Sequence, residues 1–379
     1  MTREEVNNLA LSKIDKTKYL ILELITGYGK TKVAIDLINH ICDRVFRNDE
    51  SPTTILILVA KTVHKQTWKD EIKKWGGINS DCITIECYES FKNYENSYFD
   101  IVVADEMQHL SEARLKVLES IHINEAFIGL SATIKRDMRD YFIHNHKAEV
   151  IKCDLKEAVE DEVLPEPMVY LLPLTLDTTS YTYKVKKFGR DIITTQKGYY
   201  DSVSSLIEWY KNKYFNSRNK RIKNLWLSMA GKRLKWCAEQ KEALVLSLLD
   251  KFRNYKTLTF CSGIEQSERL GKYNITSKNK ASVKNLEMFN SNKIKHITAC
   301  NILNEGVNLT NCRIGIFCNL NSSEIVVKQR VGRILRHKSP IIIIPYFKDT
   351  REEELVQKMI EEYSEDSIIS VNSINDIKL

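Results

Sequence analysis

Apolar residues along this chain fall into short, nearly continuous runs separated by stretches with helical spacing. Such runs occupy two parts of the chain, at residues 19–25, 54–60, 83–86, 99–105 and 126–132, and again at 257–263, 296–300, 313–319 and 340–347. Runs rich in Val, Ile and Leu are typical of parallel strands whose two faces are both covered by helices. The pattern therefore predicts an α/β fold with two tandem parallel-sheet domains.

The positions of these runs suggest a division of the chain. We predict a first domain at residues 1–155, a crossover and basic, mainly helical insert at 156–250, a second domain at 251–349, and a C-terminal helix and tail at 350–379. Residues 154–174 are expected to form the exit strand and crossover of the first domain. Chemically distinctive residues fall at the C-terminal ends of the predicted strands, where parallel α/β sheets bind their ligands.

The first predicted strand leads into LITGYGKT, residues 24–31, and then into a predicted helix at 32–46. A loop that joins a strand to a helix N-terminus directs backbone N–H groups toward one point, which suits a polyphosphate. Lys30 can lie between the β- and γ-phosphates, and Thr31 can offer its hydroxyl to Mg²⁺. Leu24 stands where the phosphate-loop pattern has glycine, so a simple glycine turn is the alternative. The candidate nucleotide-binding residues are Thr26, Gly27, Tyr28, Gly29, Lys30 and Thr31.

Two carboxylates mark the end of the strand predicted at residues 99–105. Asp105 can hold Mg²⁺ through water, and Glu106 can orient and deprotonate an attacking water. An acidic pair that caps the next helix is the alternative interpretation. Ser131 lies at the end of the next predicted strand. Three residues suited to phosphate chemistry, Lys30, Asp105 and Ser131, therefore fall at the ends of three strands.

A basic segment of the second domain, QRVGRILR at residues 329–336, has helical spacing. Gln329, Arg333 and Arg336 fall at positions i, i+4 and i+7, on one helix face. One domain can thus present a Gln and two guanidinium groups to a γ-phosphate held by the other, where Arg stabilises the charge of phosphoryl transfer. A solvated basic helix is the alternative, but Gly332 inside a helix is unfavourable unless something must approach closely.

The order of these motifs resembles one protein family. TGYGKT, VAKTVHKQTW, CYESF, DEMQH and SAT, followed by NILNEGVNL and QRVGRILR, resemble motifs I, Ia, Ib, II, III, V and VI of the superfamily 2 helicases and translocases, the group with DEAD and DEAH boxes. The resemblance implies two RecA-like domains, ATP hydrolysis with Mg²⁺ held by Thr31 and Asp105, and movement on nucleic acid.

The resemblance also implies roles for individual residues. Catalytic roles fall to Lys30, Asp105, Glu106, Gln329, Arg333 and Arg336. Motif V adds nucleotide contacts at Gly306 and Asn308. Motifs Ia and Ib imply nucleic-acid contacts at Lys61, Thr62, Gln66 and Ser90. A role in coupling the nucleotide state to the domain interface falls to Gln108, His109, Ser131 and Thr133.

One feature of many relatives is missing from this sequence. Upstream of the phosphate loop those relatives carry a Gln that reads adenine, whereas this chain has no Gln before Gln66. Asn7 or Asn8 is the available substitute. Two smaller departures are DEMQH in place of DEAD or DEAH, and Asn308 where many relatives have Asp.

Positive charge is concentrated between Lys184 and Lys235, where 14 Lys and Arg stand against 3 Asp and Glu in a chain of net charge +7. Aromatic residues lie among these charges, as in grooves that track phosphates and stack bases. Helical apolar spacing supports the alternative that many of these aromatics pack the insert onto the rest of the protein. The aromatic residues are Tyr181, Tyr183, Tyr199, Tyr200, Trp209, Tyr210, Tyr214, Trp226 and Trp236. The candidate basic contacts are Lys184, Lys186, Lys187, Arg218, Lys220, Arg221 and Lys223.

Bulk properties exclude several classes of protein. No apolar run reaches the ~18–20 residues of a membrane span, and the polar N-terminus does not have the form of a signal peptide. Nine scattered cysteines without a C-x-x-C pair favour reduced thiols over zinc or disulfides. We therefore expect a soluble intracellular protein with no membrane partner.

The compact form, the QTW of motif Ia and the EVLPEP stretch resemble most the DNA helicases related to the excision-repair and phage recombination-repair enzymes. The sequence therefore predicts an ATP-dependent helicase or translocase that acts on DNA rather than RNA. One alternative is an RNA helicase. Another is an ATP-gated clamp, or the motor subunit of a restriction complex, that depends on an unknown protein partner.

Overall fold

The computed structural model describes residues 1–49, 53–77, 80–187, 189–300, 309–320 and 323–379, and the side chains at 47–49, 80, 187, 324, 325, 328 and 329 are not described. Gly306 and Asn308 therefore lie outside the described residues. The chain divides into two compact units. The first contains Met1–Glu166 and Glu324–Arg336, and the second contains Pro167–Leu303, Leu309–Ser323 and His337–Leu379.

Strands and helices alternate through the first unit. In chain order they are α1 (Arg3–Ile14), β1 (Tyr19–Leu24), α2 (Lys30–Asp49), β2 (Ile55–Val59), α3 (Thr62–Trp75), β3 (Ile83–Cys87), β4 (Tyr98–Asp105), α4 (Glu112–Ser120), β5 (His122–Ser131), α5 (Arg136–His146), β6 (Glu149–Cys153) and α6 (Leu155–Glu160). The six strands form a parallel sheet in the order β3-β2-β4-β5-β1-β6.

Strand register in the first sheet brings the predicted site residues together. β5 lies between β1 and β4, with Glu23 opposite Ser131 and Asp105 opposite Leu130. The interiors of the four central strands, β1, β2, β4 and β5, are almost wholly buried, as the continuous apolar runs predict for strands covered on both faces. The ends of β1, β4 and β5 therefore meet at one edge of the sheet.

The rest of the chain forms a second α/β arrangement with an inserted hairpin of helices. Its elements are β7 (Met168–Leu174), β8 (Tyr183–Lys187), β9 (Arg190–Thr194), α7 (Gln196–Ser217), α8 (Lys220–Gln240), α9 (Glu242–Lys251), β10 (Thr257–Phe260), α10 (Ile264–Leu270), β11 (Asn274–Ile275), α11 (Ser282–Asn290), β12 (His296–Ala299), β13 (Ile314–Phe317), α12 (Glu324–Ile334), β14 (Ile341–Phe347), α13 (Arg351–Ile360) and β15 (Ile368–Ser370). Of these, α12 groups with the first unit.

The second sheet has seven parallel strands in the order β11-β12-β10-β13-β14-β7-β15. The fold class predicted from the sequence, two tandem RecA-like parallel sheets, is confirmed. The expectation for residues 154–174 needs correction, because β7 pairs with β14 of the second sheet rather than leaving the first. β15, in the predicted tail, adds a further strand beside β7.

A buried ion pair connects separate elements within the second unit. Lys241 and Glu352 are both 0% exposed, and Lys241 Nζ lies 2.7 Å from Glu352 Oε1. Lys241 also donates to the carbonyl of Pro345, and the second Glu352 oxygen accepts the N–H of Phe347. The pair therefore joins the start of α9 to β14 and α13.

Within the described part of the chain, none of the helices combines the length and apolar character that crossing a lipid bilayer requires.

Candidate active site

The phosphate-loop candidate folds as a turn between β1 and α2. Gly27 and Gly29 have φ of +95° and +108°, in the left-handed region that favours glycine. α2 begins at Lys30, two residues earlier than predicted, so the first-turn N–H groups belong to Lys30 and Thr31. The Lys30 ammonium donates to the carbonyl of Leu24 over 2.9 Å. The residue in place of the first glycine therefore contributes only backbone to the loop.

Desolvation lowers the pKa of Lys30, while the nearby charges of Glu106 and Asp105 favour its protonated form. Arg333 and Arg336 act in the opposite direction on the pKa of Lys30. The ammonium thus stands between two carboxylates and two guanidinium groups. An anionic ligand at this point would relieve the repulsion among the three cations.

Asp105, at the end of β4, is held at both its side chain and its backbone. Trp68 Nε1 donates to Asp105 Oδ2 over 2.9 Å, and the Tyr88 hydroxyl donates to the Asp105 carbonyl over 3.0 Å. Desolvation and the adjacent Glu106 charge raise the pKa of Asp105 to about 6, although Trp68 and Lys30 favour its ionised form. The carboxylate is fixed in position but lacks full compensation of its charge.

Glu106 adopts a left-handed backbone conformation with φ of 51° and starts a chain of side-chain contacts. Gln108 Nε2 donates to Glu106 Oε2 over 2.7 Å. The Ser131 hydroxyl lies 2.6 Å from Gln108 Oε1 and 2.8 Å from the Thr133 carbonyl, and its single proton serves one acceptor at a time. The predicted coupling residues Gln108, Ser131 and Thr133 are thereby connected to Glu106. His109 lies at the end of the same turn, with its ring 5.9 Å from that of Tyr88.

Helix α12 packs directly on the phosphate loop. A Cβ atom on Gly332 would lie 2.4 Å from Thr26 Cβ and 3.0 Å from the Thr26 carbonyl oxygen, so only glycine permits this approach. Arg333 is nearly buried, whereas Arg336 is exposed. The predicted shared helix face extends too far, because α12 ends at Ile334. The side chain of Gln329 lies outside the described residues.

These segments surround a cavity of about 660 Å³. Its lining includes Lys30, Thr31, Asp105, Glu106, Arg333 and Arg336. The sequence predicts roles at one site for these six residues. It does not predict that two of their neighbours would belong to the same site. One is Trp68, whose only sequence signal was its position in the QTW motif. The other is Arg3, which lines the cavity and donates to the carbonyls of Tyr28 and Gly27 over 3.0 and 3.3 Å.

Asn7 also lines the cavity, and its side-chain oxygen is buried without a hydrogen-bond partner among the described residues. Asn8, the other candidate for reading the base, is exposed and does not line it. A buried amide oxygen that lacks a donor costs free energy, so it is suited to accept a hydrogen bond from a ligand.

The residues present fit a magnesium ion shared with a nucleotide. Among the described residues, no group of three or more His, Cys, Asp or Glu side chains forms a metal cage. Mg²⁺ in nucleotide enzymes needs only one or two protein oxygens, because phosphates and waters supply the rest. The undercompensated carboxylate of Asp105 and the hydroxyl of Thr31 would hold it.

Comparisons with known proteins show similarity to helicases and translocases. The Helicase conserved C-terminal domain family matches residues 239–338. DNA 3'-5' translocase XPB2 of Sulfurisphaera tokodaii is 22% identical over 369 residues, covering 85% of this chain and 76% of that protein. Both matches support the resemblance to superfamily 2 helicases and translocases that the sequence motifs indicate.

Solved structures of other proteins share the fold at low sequence identity. A fragment described as the HsdR subunit of a type I restriction enzyme from Vibrio vulnificus YJ016 has a TM-score of 0.63 at 19% identity, over 98% of this chain and 68% of that one. S. cerevisiae Dbp5 bound to RNA and ADP BeF3 has a TM-score of 0.60 at 12% identity, over 97% and 89%.

The predicted motif Ia residues lie at the N-terminal end of α3, and the predicted motif Ib residue follows β3. Lys61 precedes the first turn of α3, and Lys61, Thr62 and Gln66 are exposed. Ser90 is partly exposed in the turn after β3. All four are thus accessible at the surface of the first unit.

The insert is built from an antiparallel pair of strands, β8 and β9, and the hairpin of α7 and α8. Its aromatic residues differ in their surroundings. Tyr183, Tyr199 and Trp236 form a packed cluster with ring centroids 5.0–5.7 Å apart, whereas Trp209 is 52% exposed. Packing therefore explains the cluster but not Trp209.

The predicted basic contacts of the insert lie mainly at its surface. Arg218 ends α7 in a left-handed conformation, and its guanidinium lies 5.4 Å from the ring of Phe215. The side chain of Lys187 lies outside the described residues. The exposed members are Lys184, Lys186, Arg218, Lys220, Arg221 and Lys223.

Proposed function

We propose that this chain is an ATP-dependent motor that hydrolyses ATP in the cavity around Lys30 and thereby moves along or remodels DNA. The observation that carries the proposal is convergence at one cavity. An ammonium, two carboxylates and two guanidinium groups from separate segments line it, in the combination that phosphoryl transfer needs. The match of residues 239–338 to the Helicase conserved C-terminal domain family supports the same reaction.

The proposed mechanism assigns the phosphates of ATP to the loop before α2. Lys30 releases the carbonyl of Leu24 and binds the β- and γ-phosphates, together with the first-turn N–H groups of α2. When bound by Thr31 and Asp105, Mg²⁺ neutralises phosphate charge. Glu106 orients a water and accepts its proton as the water oxygen bonds to the γ-phosphorus. The bond to the bridging oxygen breaks as this new bond forms, and ADP and phosphate are the products.

Arg333 and Arg336 stabilise the negative charge that spreads over the transferred phosphoryl group. In comparable systems an arginine of this kind contributes ~10³–10⁵ in rate. Gly332 supports this role because it lets α12 lie against Thr26 of the phosphate loop. Gln329, whose side chain is not described, is proposed from the motif alone.

We assign recognition of the base to Asn7, whose side chain would select adenine. The buried Oδ1 of Asn7 can accept a hydrogen bond from the adenine N6 amino group, and its amide can donate to N7. Guanine presents a carbonyl in place of that amino group, so it would face the Asn7 oxygen with a second acceptor. ATP rather than GTP is thus the proposed substrate.

DNA is proposed as the track because the curated relative is named as a DNA translocase. The exposed basic surface of the insert supports binding to a phosphate backbone without distinguishing DNA from RNA. Whether the motor separates strands or only translocates depends on features that its ATP site does not contain.

The test is the steady-state ATPase rate without polymer and with single-stranded DNA, duplex DNA, branched DNA and RNA, each at two salt concentrations. Strong stimulation by DNA, reduced at the higher salt, is the expected result. Stimulation by RNA alone would identify an RNA helicase. A rate that no polymer changes would favour the gated clamp or a motor subunit that requires a protein partner.

A further inference from the structure

Helix α3 has two faces with different surroundings. Thr62 and Gln66, one turn apart, are exposed on one side. His64, Trp68 and Ile72, also spaced by four residues, are buried on the other. A single rigid element therefore carries the proposed nucleic-acid contacts of motif Ia outside and Trp68 inside.

Trp68 connects the inner face of α3 to the proposed metal site. The residue is 1% exposed, and its indole N–H donates to Asp105 Oδ2 over 2.9 Å. A closely packed indole cannot rotate independently of its helix, so a displacement of α3 moves the donor. The carboxylate that accepts this bond would change its orientation with the helix.

Tyr88 makes a second connection from the other predicted nucleic-acid segment. It is 2% exposed and lies two residues before Ser90. Its hydroxyl donates to the Asp105 carbonyl over 3.0 Å. Motifs Ia and Ib thus each direct one buried aromatic donor at the same residue of motif II, one to its side chain and one to its backbone.

We propose that Trp68 and Tyr88 are positioning residues that hold Asp105 in the geometry needed for the Mg²⁺–nucleotide complex and transmit nucleic-acid contact to it. This inference rests on the proposed function. Polymer binding at Lys61, Thr62, Gln66 and Ser90 shifts α3 and the turn after β3, and the two donors carry that shift to Asp105. Nucleic acid then lowers the Mg²⁺ concentration that nucleotide binding requires, and Mg²⁺–nucleotide tightens nucleic-acid binding by the same factor.

The experiment removes each donor and leaves an aromatic ring at its position. Trp68→Phe deletes the indole N–H, and Tyr88→Phe deletes the hydroxyl. Trp75→Phe is the matched control on α3, because the Trp75 indole donates to Glu71 instead of Asp105. Full-length proteins are titrated with Mg²⁺ in the presence of a fluorescent, non-hydrolysable ATP analogue, with and without single-stranded DNA.

In the wild-type protein, DNA should lower the Mg²⁺ concentration for half-maximal analogue binding. In Trp68→Phe that concentration should rise about tenfold, since hydrogen bonds to charged groups are among the stronger ones. The shift caused by DNA should largely disappear, while DNA affinity without nucleotide stays unchanged. Tyr88→Phe should reduce the DNA-induced shift with a smaller change in the Mg²⁺ requirement. Trp75→Phe should match the wild type in its Mg²⁺ dependence.

The inference would be overturned if both Trp68→Phe and Tyr88→Phe kept the Mg²⁺ dependence and the DNA-induced shift of the wild-type protein. Equal losses in Trp68→Phe and Trp75→Phe would also overturn it, since they would reflect general disturbance of α3. Absence of analogue binding in the wild-type protein would instead contradict the proposed function. Tyr88→Phe, which removes one oxygen atom and retains the ring, keeps the test decisive if Trp68→Phe unfolds.

Discussion

The hydroxyl oxygen of Ser131 lies 2.6 Å from Oε1 of Gln108, and the amide of Gln108 holds the carboxylate of Glu106. Ser131 is fully buried at the end of β5, so it forms the fixed end of this chain of contacts. The end of β5 is therefore connected to the carboxylate of the proposed base through the side chain of Gln108.

Replacement of Glu106 separates binding from hydrolysis. Glu106→Gln retains the size of the side chain but cannot accept a proton, so we expect ATP turnover to fall by ~10²–10⁴ while nucleotide affinity stays near that of the wild type. Lys30→Ala, which removes the phosphate-binding cation, should abolish nucleotide binding. Turnover and analogue binding measured side by side check both variants. A Glu106→Gln protein with normal turnover would exclude this residue as the base.

Base selectivity should depend on the first of two adjacent asparagines. Asn7→Ala removes the buried amide oxygen in the cavity, so ATP affinity should fall by about 5- to 100-fold, as for loss of one or two good hydrogen bonds. The preference for ATP over GTP should narrow at the same time. Asn8→Ala is the matched control, because Asn8 is exposed on the same helix. Equal effects of the two substitutions would contradict the assignment of adenine recognition to Asn7.

Two helical glycines should respond in opposite ways to alanine. At Gly332 the new methyl would lie 2.4 Å from Thr26 Cβ, so Gly332→Ala should displace α12 from the phosphate loop. We expect a loss of about 1–3 kcal/mol in the free energy of unfolding and at least a tenfold decrease in ATPase rate. Gly231, in α8, has no atom within 4 Å of the corresponding position, so Gly231→Ala should stabilise by about 0.5–1 kcal/mol. Urea unfolding and ATPase assays measure both.

Charge removal from the insert should weaken nucleic-acid binding in a salt-dependent way. A triple substitution of Lys220, Arg221 and Lys223 by Gln should lower DNA affinity and reduce the slope of log K against log salt by about 2–3, if each contacts one phosphate. The control triple replaces Lys116, Lys152 and Lys156 by Gln, three exposed lysines of the first unit. It removes the same charge, so any effect of net charge alone would appear in both proteins. Unchanged slopes in the insert triple would make the insert a packing element.

Local sequence patterns predict most of the fold. The strands predicted from continuous apolar runs are present within a few residues of their expected bounds, because burial of Val, Ile and Leu on both faces leaves a strong signal. β15 was not predicted, since three residues form too short a run. β7 was recognised as apolar but assigned to the wrong sheet, because its partner β14 lies far away in the sequence.

The candidate site was predictable to the extent that its residues stand at strand ends. Lys30, Asp105 and Ser131 are brought to one edge by the parallel sheet, which is a property of the strand order. Trp68 and Arg3 were missed for a physical reason. An amphipathic helix marks Trp68 only as a core residue, and no local pattern reveals that its N–H reaches Asp105. Arg3 contacts the phosphate loop from a helix that precedes β1, through a tertiary contact alone.

The buried pair of Lys241 and Glu352 bears on how this protein can be cut into parts. A fragment limited to residues 239–338, the region of the family match, would retain Lys241 and lose its counter-charge. Removing one member of a buried ion pair lowers the free energy of unfolding by about 3–5 kcal/mol, which is a large part of the stability of a small domain. The same cut removes β7, β14 and β15 from the sheet. A recombinant form of the second unit therefore has to begin before β7 and end after Glu352 if it is to fold stably.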